Sequence, residues 1–264
     1  MPSATTPAPE APTTRGAAPL LAVEDLHAGY LGIPAVRHLT LTVAAGEVVA
    51  LLGPNGAGKT TTLSTIAGLL PPISGTVTLA GEAITGRAAY KLARLGISLV
   101  PEDRALFYEL TVRENLRLAR GERSLPQEEL LSMLPELEKC LGRKAGVLSG
   151  GEQQMLAVGR ALISRPRLLL VDEMSLGLAP VVVERLLPIL RRIANDLGAG
   201  VLFVEQHISM ALELADRAYV LNHGEIVLAG NAADLRGNRE LVEASYLGEA
   251  TMDELSGESP TAAG

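Results

Sequence analysis

The chain contains a single cysteine in 264 residues, and it has no tryptophan. Cys140 has no partner for an internal disulfide and no companion for a metal site, so a reducing compartment is expected. The sequence also has no apolar run close to the roughly 18 residues that a membrane-spanning helix needs. Acidic residues outnumber basic ones by 30 to 23, and the net charge of −7 argues against a nucleic-acid surface, which requires a basic patch.

The two ends differ in composition from the rest of the chain. Residues 1–19 are rich in Ala, Pro and Thr, and they lack the basic start and apolar core of a secretory signal. We expect this segment to be disordered, and we expect the same of the polar segment 250–264. The remaining residues, 20–249, are enough for one large domain, or for one domain with a small appended lobe.

Short apolar runs predict the strands, and helical spacing of apolar residues predicts the helices. Strands are predicted over residues 20–30, 39–43, 48–52, 75–79, 97–100, 168–171, 200–204, 217–221 and 225–228, with a turn over 32–34. Helices are predicted over residues 60–70, 180–195 and 211–215. Uninterrupted apolar strands are typical of a parallel sheet that is buried on both faces, so the predicted fold class is α/β.

Residues 111–141 have a helical pattern between the two halves of this predicted core. Thr111 and Glu114 form a T-x-x-E capping box at its start, and leucines recur among charged residues after it. We therefore predict a helical lobe over about residues 103–147, inserted between two parts of the α/β core.

A glycine-rich segment follows the predicted strand 48–52 and leads into a predicted helix. It reads Gly-Pro-Asn-Gly-Ala-Gly-Lys-Thr, which fits the phosphate-loop pattern G-x-x-x-x-G-K-[ST]. Backbone N–H groups can converge on a phosphate where side chains are absent, and Lys59 would reach the β- and γ-phosphates. The Thr60 hydroxyl would bind Mg²⁺. An ordinary glycine-rich turn with a solvated lysine is the alternative. The predicted nucleotide-binding residues are Gly53, Pro54, Asn55, Gly56, Ala57, Gly58, Lys59, Thr60 and Thr61.

Two carboxylates close the predicted strand 168–171. Ligands bind at the carboxyl ends of the strands in α/β sheets, so Asp172 and Glu173 would face the bound nucleotide. Asp172 would hold Mg²⁺, and Glu173 would orient or polarise the attacking water. The alternative is an acidic pair that only caps a helix.

A second candidate anion site begins at Ser149. Ser149 and Glu152 have the spacing of a capping box, which would begin a helix. Ser149, Gly150 and Gly151 at a helix N-terminus would also bind an anion. Because the phosphate loop already serves one nucleotide, this second site is best explained by a nucleotide that another subunit holds.

The order of the three motifs, 53–60, 148–154 and 168–173, resembles that of the ATP-binding-cassette (ABC) ATPases, and L-S-G-G-E-Q-Q is similar to their signature motif. The resemblance covers about residues 20–248. It implies a P-loop NTPase core of the ABC ATPase type, with an antiparallel β subdomain and an inserted helical subdomain. It also implies ATP and Mg²⁺ as cofactors, and a head-to-tail sandwich of two cassettes in which each ATP lies between one subunit's phosphate loop and the other's signature helix.

The resemblance assigns roles to four further residues. Tyr30 stands where the family has an aromatic that stacks on adenine, with a half-buried strand aromatic as the alternative. Glu102 replaces the glutamine of the Q-loop, and its carboxylate would still reach Mg²⁺ through water. Gln206 stands at the position of the switch histidine and would sense the γ-phosphate, with His207, one place later, as the alternative. His27, His38 and His223 have no partner that the sequence identifies, and we predict that they are surface or turn residues.

Several departures from the family pattern occur together. The segments V-P-E, D-E-M-S-L-G-L-A-P, V-E-Q and S-Y-L-G are similar to those of the second ATPase subunit of branched-chain amino-acid importers. This resemblance implies an ATPase peripheral to the cytoplasmic face of a bacterial inner membrane. It would pair with a second cassette (identical or different) and two transmembrane permeases, would act indirectly with a solute-binding protein, and would bind no nucleic acid. The alternatives are the ATPase of a urea or amide importer, that of a lipid exporter, a non-transport ABC scaffold ATPase, and a cassette that binds ATP mainly as a structural partner.

Overall fold

The computed structural model describes residues 18–121 and 124–247, and two β-sheets form its framework. The strands are β1 (Leu21–Tyr30), β2 (Ile33–Val43), β3 (Val48–Leu52), β4 (Pro72–Leu79), β5 (Glu82–Ala83), β6 (Ile97–Val100), β7 (Leu168–Asp172), β8 (Gly200–Glu205), β9 (Arg217–Asn222) and β10 (Glu225–Asn231). The α-helices are α1 (Lys59–Ile66), α2 (Ala89–Leu95), α3 (Val112–Leu118), α4 (Gln127–Met133), α5 (Gly150–Ile163), α6 (Pro180–Leu197), α7 (Ile208–Leu214), α8 (Ala232–Gly237) and α9 (Arg239–Leu247), and 3₁₀ turns span Pro135–Cys140 and Ala145–Val147. The predicted disordered segments fall outside the described residues, apart from residues 18 and 19.

The larger sheet has the strand order β10-β9-β3-β8-β7-β6, and only β10 runs antiparallel to its neighbour. All five residues of β3 are buried, as are those of β7, which the uninterrupted apolar runs predicted. Because β3, β7 and β8 are parallel neighbours, their carboxyl ends meet at one edge of the sheet. Asp172 is the last residue of β7, and the phosphate loop and Gln206 follow the ends of β3 and β8.

Side chains of the parallel strands alternate between two hydrophobic cores, as the two-residue period of a strand requires. In β3, Val49 and Leu51 pack in a core with helix α1 and the antiparallel sheet. Ala50 and Leu52 pack in the other core, which also contains residues of the helical segments. The phosphate loop therefore leaves a strand that is held on both faces.

The smaller sheet is antiparallel, with the order β2-β1-β4-β5. The turn between its first two strands contains Leu31 and Gly32, so the turn predicted over 32–34 is one residue too late and too long. Pro34 lies inside β2, opposite Gly29. A proline is tolerated there because β2 is an edge strand, where one N–H of the ladder can be missing.

The segment with the helical pattern contains short helices rather than long ones. Thr111 caps α3 as predicted, because its hydroxyl accepts from the Glu114 N–H at 3.2 Å while Glu114 accepts from the Thr111 N–H at 2.8 Å. Pro126 and Pro135 stand at the starts of α4 and of the 3₁₀ turn that follows it. Proline cannot continue a preceding helix, which explains why the pattern is divided.

Four elements were not predicted from the sequence: α2, β5, α8 and α9. Helix α1 also ends at Ile66, earlier than predicted, where Gly68 adopts a left-handed conformation with φ of 72°. No helix in the ranges 18–121 and 124–247 is long and apolar enough to cross a membrane.

A buried cation joins the two sheets. Arg217 of β9 is 2% exposed, and its Nε lies 2.6 Å from a carboxylate oxygen of Glu47. The same guanidinium donates to the Thr42 carbonyl of β2 at 2.7 Å, and Tyr219 accepts from the Thr42 N–H at 3.1 Å. The antiparallel sheet is therefore tied by polar contacts to the sheet that carries the phosphate loop.

Candidate nucleotide-binding site

The phosphate loop connects β3 to α1, and close packing explains two of its glycines. A Cβ on Gly53 would lie 2.3 Å from the Leu221 carbonyl oxygen. A Cβ on Gly58 would lie 2.7 Å from Val36 Cγ2, and Gly58 also has φ of 104°, which L-residues rarely adopt. Gly58 is the N-cap of α1, so the loop brings N–H groups of a helix start towards the opening of the site.

Backbone hydrogen bonds hold the rest of the loop in a tight turn. The Ala57 N–H donates to the Pro54 carbonyl at 3.2 Å, and the Ala57 carbonyl accepts from the Gly224 N–H at 3.1 Å. Asn55 and Gly56 are exposed at the tip. Thr61 is buried in the first turn of α1, with its carbonyl accepting from the Thr65 hydroxyl.

Lys59 is only 4% exposed, and its ammonium is fully engaged by its own surroundings. Nζ donates to the Gly53 carbonyl at 2.8 Å and to the Pro54 carbonyl at 3.0 Å. It also lies 3.2 Å from a carboxylate oxygen of Glu173. Glu173 is thus the counter-ion of the loop lysine.

Asp172 lies at the end of β7, opposite the start of α1. Its Oδ1 accepts a hydrogen bond from the Thr60 hydroxyl at 3.2 Å. Burial raises the pKa of Asp172 to about 6, and the nearby negative charges of Glu173 and Glu102 add to the increase. A hydroxyl and a carboxylate are oxygen donors that Mg²⁺ prefers, so this pair suits that cation. Glu102 is exposed, and its charge acts on Asp172.

Glu173 is held from two sides. One carboxylate oxygen faces Lys59, and the other accepts a hydrogen bond from Gln206 Nε2 at 2.6 Å. Its backbone has φ of 42°, which is uncommon for a residue with a side chain, and its N–H donates to the Val204 carbonyl at 3.2 Å. The carboxyl ends of β7 and β8 therefore fix the position of this carboxylate.

The structure separates the two candidates for the γ-phosphate sensor. Gln206 directly follows β8 and contacts Glu173, whereas His207 is the exposed N-cap residue of α7 and its side chain makes no capping hydrogen bond. Gln206 is therefore the candidate that the fold brings to the phosphate loop and the two carboxylates.

Ser149 caps α5 as predicted, with its hydroxyl 3.3 Å from the Glu152 N–H and its own N–H 2.7 Å from the Glu152 carboxylate. A Cβ on Gly151 would lie 2.6 Å from Val182 Cγ1 of α6, so any other residue here would require Val182 to shift. Within the described ranges, no hydrogen bond or ion pair joins residues 149–151 to the phosphate loop. Tyr30, at the end of β1, is 56% exposed and available for stacking.

Sequence reasoning gave no role to Glu205, although it lies next to Gln206. Glu205 is 1% exposed and accepts two hydrogen bonds from Ser175, from its N–H at 3.0 Å and from its hydroxyl at 2.7 Å. Burial raises the pKa of Glu205 above its usual value. The pair ties the segment after Glu173 to the end of β8, and the only signal in the sequence was a carboxylate closing an apolar strand.

Comparisons with known proteins agree with this arrangement. Residues 36–175 match the ABC transporter family. The high-affinity branched-chain amino acid transport ATP-binding protein BraG of Pseudomonas aeruginosa is 40% identical over 234 residues, which cover 87% of this chain and 100% of that protein. The lipopolysaccharide export system ATP-binding protein LptB of Acidithiobacillus ferridurans is 36% identical over 240 residues, which cover 87% and 97%.

Among solved structures, the ADP conformation of MJ1267, an ATP-binding cassette of an ABC transporter, is similar to this chain with a TM-score of 0.74 and 28% identity. The match covers 88% of this chain and 100% of that one. The predicted fold, an α/β core of the ABC ATPase type, is thereby confirmed. The chain belongs to the ABC transporter family and is one of its ATP-hydrolysing subunits.

Proposed function

We propose that this chain hydrolyses ATP to drive the uptake of branched-chain amino acids (Leu, Ile and Val) through partner permeases. The observation that carries the ATPase assignment is the meeting of Lys59, Asp172 and Glu173 at the carboxyl ends of β3 and β7, within 3.2 Å contacts of the phosphate loop or of one another. The amino-acid substrate is supported by the segments with Glu102, Met174 and Gln206, and by the 40% identity to BraG.

Each site residue has a separate task in this proposal. Lys59 turns from Glu173 to the β- and γ-phosphates, and the N–H groups of residues 53–61 surround them. Thr60 and Asp172, with Glu102 through water, would hold the Mg²⁺ that neutralises developing charge on the phosphates. Glu173, released from Lys59, accepts a proton from the attacking water. Gln206 donates through its amide to the γ-phosphate, and Tyr30 stacks on the adenine.

The signature segment works on the nucleotide of a second cassette. ABC transporter ATPases act as dimers with permease subunits. Ser149, Gly150 and Gly151 form a capped helix start, and among the residues that the structure describes no hydrogen bond or ion pair joins them to the chain's own phosphate loop. We infer a head-to-tail pair in which each ATP contacts both subunits. The pair would sit on two permeases at the cytoplasmic face of a bacterial inner membrane and would respond indirectly to a solute-binding protein.

The experiment that tests this proposal measures ATP hydrolysis by the reconstituted complex of this chain, its companion cassette and its permeases. Binding protein loaded with leucine should stimulate hydrolysis severalfold, whereas empty binding protein, or one loaded with urea, should not. Stimulation by urea would instead assign the chain to a urea or amide importer. Stimulation by a lipid substrate would assign it to a lipid exporter, the kind of system to which the similar protein LptB belongs. Hydrolysis that no solute and no permease changes would favour a non-transport scaffold ATPase.

A further inference from the structure

Asp25, His27 and His38 meet on the outer face of the antiparallel sheet, and none of them belongs to the nucleotide site. The Asp25 carboxylate lies 2.8 Å from His38 Nδ1 and 3.6 Å from His27 Nε2. The two imidazole rings are 4.4 Å apart and nearly perpendicular. The prediction that these histidines are surface or turn residues holds for the exposed His38 and for His223 in its turn, whereas His27 is half-buried, and the sequence did not reveal that His27 and His38 share Asp25.

Two neighbouring β-bulges create this cluster. In the first bulge, Glu24 and Asp25 of β1 lie opposite the single residue Thr40 of β2. In the second bulge, Arg37 and His38 of β2 lie opposite the single residue His27 of β1. Asp25 and His38 each have φ of 47°, in the left-handed region that residues with side chains seldom adopt. The bulges keep the apolar residues of both strands inside the core while adding one outward side chain to each strand.

The three ligand atoms have the chemistry and spacing of a transition-metal site. They lie within 4.8 Å of one another. Two imidazole nitrogens at about 2.0–2.1 Å from a tetrahedral Zn²⁺ are about 3.4 Å apart, and a carboxylate oxygen is at a similar separation from each. The 3.6 Å from His27 Nε2 to the Asp25 carboxylate is close to this separation. The 2.8 Å from His38 Nδ1 to the same carboxylate is a hydrogen bond whose proton a metal would replace.

We propose that His27 Nε2, His38 Nδ1 and the Asp25 carboxylate bind one divalent transition-metal ion, of the class that prefers imidazole, such as Zn²⁺ or Co²⁺. The partly exposed position leaves the fourth coordination place to water, so the site is not closed in the manner of a buried structural zinc. The ion crosslinks the two bulges of β1 and β2, and it stabilises the folded chain because the unfolded chain does not hold the three ligands together.

The test uses untagged full-length protein without nucleotide, in excess Mg²⁺ so that oxygen-ligand sites are already occupied. Zn²⁺ and Co²⁺ are titrated separately, followed by calorimetry and by NMR of the histidine ring nitrogens. We expect one ion per chain, signal changes at His27 and His38 but not at His223, and a higher melting temperature. Co²⁺ should also give the visible absorption of a four-coordinate site.

His27→Gln is the decisive variant, because His27 lies in extended strand backbone and the change leaves both bulges intact. It should weaken Zn²⁺ binding by more than the roughly 10–100-fold that loss of a mere second-layer partner costs. His223→Asn, in a turn with φ of 46°, is the matched control and should bind Zn²⁺ like the parent. Absence of stoichiometric binding, or equal Zn²⁺ affinity in His27→Gln and the parent, would overturn the proposal, and ATPase activity plays no part in either readout.

Discussion

The ammonium of Lys59 lies 3.2 Å from the carboxylate of Glu173, and both side chains are almost wholly removed from solvent. The carboxylate proposed to activate water therefore neutralises the charge of the lysine proposed to bind phosphate. Neither group can take up its proposed role while the ion pair persists. We expect a phosphate that binds near Lys59 to break the pair and to release Glu173 in the same event.

Glu173→Gln should abolish turnover while leaving ATP binding intact or tighter. The amide cannot accept the proton of the attacking water, and it does not compete with the phosphates for Lys59 through a negative charge. We expect hydrolysis to fall by about 10²–10⁴-fold, the usual contribution of a general base. Single-turnover hydrolysis and nucleotide affinity, measured on the same preparation, test the expected loss of turnover and the expected retention of ATP binding. Turnover close to that of the parent would remove Glu173 from the chemistry.

Gln206→Ala should lower ATP hydrolysis more than His207→Ala does. Gln206 contacts Glu173 at 2.6 Å, and loss of one well-placed donor at a developing charge costs roughly 10²-fold in kcat. His207 is exposed at the N-cap of α7. Steady-state kinetics of the two variants in the assembled complex decide between them, and a larger loss in His207→Ala would transfer the sensor role to the histidine.

Ser149→Arg should block hydrolysis at the partner's nucleotide without weakening ATP binding by the isolated chain. The arginine would fill the space at the start of α5, where the partner's γ-phosphate is proposed to lie. The measurement mixes this variant with Lys59→Ala. If the motif acts in trans, the mixed sandwich keeps one complete site, which combines the intact phosphate loop of the Ser149→Arg chain with the intact signature segment of the Lys59→Ala chain. If the motif acts in cis, neither site is complete. The result opposite to ours is a monomeric Ser149→Arg chain that has lost ATP affinity.

Asp172→Asn should stabilise the nucleotide-free chain at pH 8, and this advantage should shrink as the pH falls below about 6. The pKa of Asp172 rises from 3.8 to about 6 on folding, chiefly through burial. The native state therefore binds more protons than the unfolded state between these values, and its relative stability is lost as the pH rises through about 6. Asparagine retains the acceptor for Thr60 and carries no charge.

Melting temperatures of Asp172→Asn and the parent at pH 5 and pH 8 test this prediction. The difference between the two proteins should be a few degrees larger at pH 8, because other titrating groups act equally in both. A difference that does not change with pH would mean that Asp172 has an ordinary pKa. Mg²⁺ should favour the ionised parent and so reduce the advantage of the variant.

Most of the nucleotide site was predictable because its parts are short and local. The phosphate loop is a continuous segment whose flanking apolar run, glycines and lysine all lie within residues 48–60. Asp172 closes an apolar strand. The orientation of Lys59 was not predictable, because it depends on a carboxylate more than a hundred residues away in the sequence. The contact between Gln206 and Glu173 likewise arises only when β7 and β8 pair.

The fold was predictable where the apolar period alone decides the structure, as in β3 and β7. Helix α9 was missed because only Val242 and Ser245 are buried in it, and Asn222 helps to hold it through the Ser245 carbonyl at 3.1 Å. The bulges that bring Asp25 to His38 were missed for a related reason. A bulge changes the register between two strands, and neither strand's own pattern contains that register.

Arg217 has a consequence for how the molecule comes apart. If the antiparallel sheet unfolded alone, the Arg217 guanidinium would lose its hydrogen bond to Thr42 while Arg217 and Glu47 remained buried. A buried charge with incomplete hydrogen bonding is costly. We therefore expect the antiparallel sheet, which contains Tyr30, to unfold in one cooperative transition with the sheet whose strand β3 leads into the phosphate loop. The residues proposed to bind the adenine and the phosphates of a nucleotide would then belong to one cooperative folding unit.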